Sequence, residues 1–215
     1  MRESIAQSLT ELTARYPKLE ALRPELAEAF RMLKDCYERG GKLLVAGNGG
    51  SCADAEHIVG ELMKEFKRKR PLDAALRQRL AEIDPERGPR LAESVQQGLP
   101  AVALSSHPSL NTAFLNDVGS EGMFAQQLNV LGREGDVFLA ISTSGNSRNI
   151  ACACVMAKAK GIRVLGLTGK TGGVLKELAD LALVMPESET YRIQELHLPV
   201  YHWLCMALEE QFFGA

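Results

Sequence analysis

The sequence predicts an α/β protein built on a parallel sheet with helices on both faces. Three observations lead there. Short apolar segments alternate with helical segments along the 215 residues. The apolar segments do not alternate with polar residues, as strands buried on both faces do not. Two loops of unusual composition, GNGGS and STSGNS, follow such strands, where ligands bind on parallel sheets.

Residues 1 to about 40 read as helical. Ile5, Leu9, Leu12 and Tyr16 fall at helical spacing, as do Leu26, Phe30, Leu33 and Tyr37. Pro17 and Pro24 divide the run into two helices, and Gly40 and Gly41 end the second. Such a pair packs on another subunit or covers this chain's own sheet. Leu43 to Ala46 is a strand, followed by Gly47, Asn48, Gly49 and Gly50. A helix begins at Ser51, which is expected as its N-cap. The free amides and positive dipole end of that helix offer a seat for an anion. Farther along, His57 and Glu61 stand four residues apart on one face, an acid/base or metal-binding pair.

A charged stretch follows from about 64 to 98. Its basic run, Lys64, Lys67, Arg68, Lys69 and Arg70, reads as a solvated face. Helical pieces are expected at Ala74 to Ile83 and Arg90 to Gln97, separated by DPERGP. The core resumes with the strand AVAL at 101–104 and a helix from Ser109 to Leu115, with Asn116 and Asp117 in a turn. Then come a helix at Met123 to Leu131, the strand DVFLAI at 136–141, the loop STSGNS at 142–147 and a helix at Asn149 to Lys160. Arg163 to Leu167 and Ala182 to Met185 are the last strands, flanking TGKTGG and a helix at Val174 to Leu178. A helix from about Tyr191 to Phe212 closes the chain.

Composition narrows the function classes. Apolar residues make up 46% and charged residues 24%, as in soluble globular proteins. The net charge of −2 argues against a broad nucleic-acid surface. No apolar run reaches membrane-span length, and the charged, amphipathic start MRESIAQSLTEL lacks a signal-peptide core, so a cytoplasmic location is expected. The five cysteines, scattered and odd in number, read as free thiols.

STSGNS places the hydroxyls of Ser142, Thr143, Ser144 and Ser147 around one glycine before a helix N-terminus, a phosphate cradle that needs neither lysine nor metal. Neither special loop matches the Walker or dinucleotide pattern, so no nucleotide cofactor is expected. Glycines in TGKTGG read as turn-formers and Lys170 as solvated. On the last helix Gln194 and His202 are eight residues apart and share a face; Glu195, seven from His202, lies near it. His197 reads as a structural histidine. His202 gains a role only if its helix meets that of His57 and Glu61.

The motifs GNGGS, DAEHIVGEL, ND, REGDVFLAISTSGNS, LTGKTGG and RIQELHLPVYH occur in this order in sugar isomerase (SIS) domains. Within them the chain resembles the phosphoheptose isomerases, which convert sedoheptulose 7-phosphate to D-glycero-D-manno-heptose 7-phosphate in heptose biosynthesis for lipopolysaccharide. The resemblance covers the chain apart from roughly residues 68 to 98. It implies a single SIS domain over 1–215, a three-layer α/β/α sandwich with a five-stranded parallel sheet, N-terminal helices and a charged insert at about 64–98. It also implies a homotetramer with active sites at subunit interfaces and a small phosphorylated sugar as ligand, without membrane or nucleic acid. Carried over by position, Ser142, Thr143, Ser144 and Ser147 hold the phosphate; Asn48, Gly49, Ser51 and Gln194 contact the sugar, with Asp117 nearby. Glu61 is the general base and His202 its acid/base partner. Some members bind one zinc per subunit through residues matching His57, Glu61, Gln194 and His202.

Two departures from that pattern stand out: Tyr191 occupies a place before RIQE that is often acidic, and the 64–98 segment is long. They leave an isomerase of a different phosphosugar as an alternative. Non-catalytic SIS proteins, namely a replication-initiator-binding factor and phosphosugar-sensing regulators, are a second class. The initiator-binding branch tends to lack equivalents of Glu61 and His202, and both are present here.

Overall fold

The computed structural model describes residues 1–214. Its centre is a five-stranded parallel sheet of β1 (Leu43–Ala46), β2 (Ala101–Ala103), β3 (Val137–Ser142), β4 (Arg163–Gly169) and β5 (Leu181–Met185), in the order β2-β1-β3-β4-β5. Successive strand residues feed two separate cores, which explains why the strands show no apolar–polar alternation. Leu43, Val45, Leu139 and Leu165 point into one; Leu44, Ala46, Phe138 and Val164 point into the other.

The first core is covered by α1 (Glu3–Arg15), α2 (Arg23–Glu38), α3 (Gly50–Met63) and α10 (Thr190–Phe213). The N-terminal pair therefore covers this chain's own sheet. Tyr16 ends α1, a 3-10 turn at Pro17–Leu22 follows, and Pro24 sits in the first turn of α2, where its missing N–H costs nothing. The second core is covered by α7 (Met123–Leu131), α8 (Arg148–Ala159) and α9 (Gly173–Leu178). The result is the expected three-layer sandwich. Among the described residues no helix is long and apolar enough to cross a membrane. The five cysteines are free.

Several local expectations are corrected. Ser51 does not cap α3: Gly49, with φ of 57°, precedes the helix, and Ser51 lies buried in its first turn. Asn116 and Asp117 are not in a turn but complete α6 (Pro108–Asp117). Within the charged segment, α4 spans Ala74–Ile83 as expected, but α5 spans Arg87–Ser94, earlier than the sequence pattern placed it. Asp84 accounts for the shift, because its Oδ1 accepts from the amides of Glu86 and Arg87.

The basic run is neither helical nor uniformly solvated. Arg70 is fully buried and faces Glu209 of α10, also buried. Its Nε donates to Glu209 Oε1 at 2.9 Å, Nη1 to the carbonyl of Leu62 at 2.7 Å and Nη2 to that of Glu61 at 3.2 Å. Glu209 also accepts from the amides of Phe66 and Lys67 at 2.9 Å each. Burial pushes the Glu209 carboxyl up, but these amide and guanidinium hydrogen bonds outweigh it and hold the group below the ordinary range. His197 is structural, as expected: buried on α10, its Nε2 lies 3.3 Å from the carbonyl of Thr168 in β4. Burial lowers its pKa to about 4 against a weaker opposing pull from that hydrogen bond.

Two stability predictions follow from these buried groups. Arg70→Met strands the Glu209 carboxylate and is expected to cost about 3–5 kcal/mol in denaturant unfolding, with the double variant Arg70→Met/Glu209→Leu recovering most of it. For His197 the unfolded chain takes up a proton more readily than the folded one. Stability is therefore lost as pH falls from about 6.5 to about 4. The loss is about 3 kcal/mol in urea titrations across that window, and His197→Gln removes it.

Candidate active site

The chain leaves β1 toward β2 on one side and returns across β1 to β3 on the other. The crevice beyond the ends of β1 and β3 is thus the switch point at which parallel sheets bind ligands. GNGGS leaves β1 and STSGNS leaves β3. The two loops are joined by a reciprocal amide pair: Asn48 Nδ2 donates to Asn149 Oδ1 and Asn149 Nδ2 to Asn48 Oδ1, each at 2.9 Å. Asn149, in the first turn of α8, was not singled out in the sequence; nothing in its spacing marks it.

The serine loop is tightly built. Ser142 and Ser147 hydroxyls are 3.0 Å apart, and the amide of Asn146 donates to Ser144 Oγ at 3.2 Å. Gly145 adopts φ of 69°, and a Cβ there would lie 1.9 Å from the carbonyl oxygen of Gly172, so only glycine fits. That close approach brings TGKTGG against STSGNS: the amide of Leu175 donates to the Gly145 carbonyl at 2.9 Å. TGKTGG thus braces the loop, while Lys170 is exposed. The paired Ser142 and Ser147 hydroxyls, with Thr143 and Ser144 on the same loop, lie ahead of the free amides of α8, a setting suited to a phosphate.

The second half of the site lies between α3 and α10, which run side by side. A Cβ on Gly50 would meet Gln194 Nε2 at 2.4 Å, and seven residues farther along α3 His57 meets His202. His57 Nε2 is 3.2 Å from Glu61 Oε1 and 3.5 Å from His202 Nε2. The His57 and His202 rings meet edge to face at 4.9 Å, and Phe66 backs His202 at 5.3 Å. Burial, reinforced by the neighbouring His57 and opposed by Glu61, lowers the His202 pKa, which keeps its imidazole neutral at neutral pH. Glu61 Oε2 is buried without a hydrogen-bond partner, with Lys64 Nζ 3.8 Å away.

The structure therefore brings His57, Glu61 and His202 together; Gln194, about 12 Å of helix rise before His202 on α10, lies beside Gly50 of GNGGS. Asp117 is exposed at the end of α6, and its Oδ1 accepts from Asn116 at 2.8 Å. Tyr191 is 55% exposed and its hydroxyl accepts from Arg192 Nε at 2.9 Å. Two residues missed in the sequence back His57, namely Tyr201 and Asp54. Among the described residues no three His, Cys, Asp or Glu side chains already form a metal-ligand cluster. The 3.2 and 3.5 Å separations from His57 Nε2 nevertheless match the edge of a zinc tetrahedron, about 3.4 Å for ligands at about 2.05 Å. A groove of about 870 Å³ between α1, Lys67, Arg68 and α10 opens onto His202, with neither special loop lining it.

Comparisons with known proteins agree with this fold. The profile of the SIS domain matches residues 7–85 and 80–169. The phosphoheptose isomerase of Trichlorobacter lovleyi is 38% identical over 215 residues, covering 100% of this chain and 96% of the relative. That of Aneurinibacillus thermoaerophilus is 43% identical over 179 residues, covering 83% and 77%. Among solved structures, a phosphoheptose isomerase from Francisella tularensis superposes with a TM-score of 0.75 at 31% identity, covering 96% of this chain and 95% of the other. The one from Neisseria gonorrhoeae gives 0.74 at 31% identity, covering 97% and 98%.

Proposed function

The chain belongs to the phosphoheptose isomerase family of SIS-domain proteins, and from that membership we propose that it converts sedoheptulose 7-phosphate to D-glycero-D-manno-heptose 7-phosphate. The observation that carries the reading is the pairing of a neutral phosphate cradle at the β1–β3 crevice with the His57–Glu61–His202 group on α3 and α10.

In this reading Ser142, Thr143, Ser144 and Ser147 hold the phosphate, remote from the reacting carbons, and its binding energy orients the sugar. Asn48, Gly49, Ser51 and Gln194 line the path toward the reacting end. Glu61 takes the proton from C1 of the ketose, and the electron pair left behind forms the C1–C2 double bond of an enediol as the C2 carbonyl oxygen gains a proton. His202, neutral and beside Glu61, gives that proton to O2 and accepts one from O1. Glu61 then returns its proton to C2, and the aldose carbonyl forms at C1. Isomerisation consumes no redox equivalent and needs no nucleotide.

Zinc suits the donor set of His57, Glu61 and His202, and Glu61 Oε2, buried without a hydrogen bond, gives it a reason to bind there. When bound, it supplies polarisation of the two sugar oxygens. Gln194, held beside Gly50, serves the sugar in this arrangement. The open groove at His202, the exposed Asp117 and the exposed Leu110, Leu115 and Val118 of α6 and its end support a homotetramer whose sites are finished by a neighbouring subunit. The same reading places the enzyme in the cytoplasm and the 64–98 insert at the rim of the single SIS domain.

The test is incubation of the purified protein with sedoheptulose 7-phosphate, with and without added zinc, reading heptose 7-phosphate formed. Conversion is expected, faster with zinc. Phosphosugar binding without conversion overturns the assignment. Glu61→Gln is expected to lower kcat by about 10²–10⁴-fold with KM little changed. Unchanged turnover removes Glu61 from the mechanism.

A further inference from the structure

Tyr201 lies next to His202 on α10; the two rings meet edge to face at 5.0 Å, and that of Tyr201 is buried. Its hydroxyl is 3.2 Å from Asp54 Oδ1 and 3.1 Å from His57 Nδ1. Asp54 and His57 are three residues apart on α3, so one hydroxyl on the facing helix reaches both. The His57 and Tyr201 rings are 5.5 Å apart at 73°, close to edge-to-face. None of the roles carried over from the family involves Tyr201 or Asp54.

Proton accounting gives this contact a direction. A phenol has one proton and cannot donate to two partners at once. Asp54 is half-buried, and its Oδ2 has no hydrogen-bond partner, so Oδ1 depends on Tyr201. With the Tyr201 proton committed to the Asp54 carboxylate, His57 Nδ1 faces an oxygen lone pair. It can meet that lone pair only by donating its own N–H. Its Nε2 is turned toward Glu61 Oε1 at 3.2 Å and His202 Nε2 at 3.5 Å. The opposite chain leaves the half-buried carboxylate facing the phenol's lone pairs with no donor at all, which is costly.

The geometry points to Tyr201, relayed to Asp54, as a positioning residue that fixes His57 in the Nδ1–H form and presents its Nε2 to the reaction site. A histidine at such a site has its free nitrogen set by the bond that the other nitrogen makes. A phenol in that place also locks the ring against flipping, because the imidazole would have to exchange its Nδ1 partner for a C–H. The inference rests on the isomerase reading for what Nε2 does. The proton placement itself does not depend on it.

The test uses the full-length, zinc-free protein labelled with ¹⁵N at histidine, at neutral pH. Long-range ¹H–¹⁵N correlation reads whether His57 Nδ1 carries a proton. The expected result is a protonated Nδ1 in the native protein. Tyr201→Phe should leave His57 in the Nε2–H form with a bare Nδ1. Asp54→Ala, which keeps the phenol but frees its proton to turn to His57, should produce the same switch. A bare Nδ1 in the native protein, or a protonated Nδ1 that survives in either folded variant, overturns the proposal. In the conversion assay kcat of Tyr201→Phe should fall about 10–100-fold with KM nearly unchanged. Native protein that shows the expected tautomer but no conversion would refute the isomerase reading and leave the relay standing.

Discussion

The site depends on the register of two helices, and one buried ion pair sets it. His57 and Glu61 come from α3, His202 from α10, and the two helices are far apart in the chain. A slip of one residue between them would move each side chain by about 1.5 Å along the axis and swing it by about 100°. Arg70 prevents that slip. Its guanidinium holds the carbonyls of Glu61 and Leu62, the last turn of α3, and at the same time the Glu209 carboxylate of α10, two turns beyond His202. At the other end of α3, Gln194 rests against Gly50, where a methyl group would collide with its amide. The helix pair is thus fixed at both ends, and the acid/base group lies between. Buried ion pairs seldom add much stability. Here the pair fixes a geometry.

The phosphate cradle obeys a separate constraint. It depends on the sheet rather than on α10, because GNGGS and STSGNS leave adjacent strands and are stitched by Asn48 and Asn149. TGKTGG reaches it from the next strand, over a glycine where side chains are sterically forbidden. In the proposed function, binding and chemistry therefore rest on different parts of the molecule. A phosphosugar spanning them would take its orientation from the sheet end and meet the proposed proton-transferring groups of the helical layer. Such a division lets binding energy gained at one end of a substrate direct chemistry at the other.

Much of this was legible in the sequence because it is local. Strand runs, glycine turns and the His57–Glu61 spacing are short-range patterns, and the strands fell where the apolar runs placed them, give or take two residues. The role of His197 was also readable as the ordinary fate of a helical histidine. What escaped was long-range. Arg70 sits in a run of basic residues that looks solvated, and only Glu209, 139 positions away, makes it a buried clamp. Tyr201 and Asn149 look like ordinary helix residues until their partners on α3 and in GNGGS are known.

The clamp also explains how a long charged segment can sit so near the acid/base group without disturbing it. The chain departs at Pro71, directly after Arg70, and α4 and α5 pack mainly on each other before it returns. The return is closed by a bridge between Pro71 and Gln96, by the Gln97 amide donating to the Arg70 carbonyl at 2.7 Å, and by Gln97 Nε2 donating to Pro71. Leu99 then donates to the Leu62 carbonyl, which Arg70 also holds. The two ends of the excursion are hydrogen-bonded to each other beside the buried guanidinium. Once the ends are pinned, extra length costs little, since loop-closure entropy grows only logarithmically. The excursion can therefore change in size or surface while α3 and α10 keep their register. That makes it a part of the molecule free to take on sequence of its own without altering the positions of Glu61 and His202.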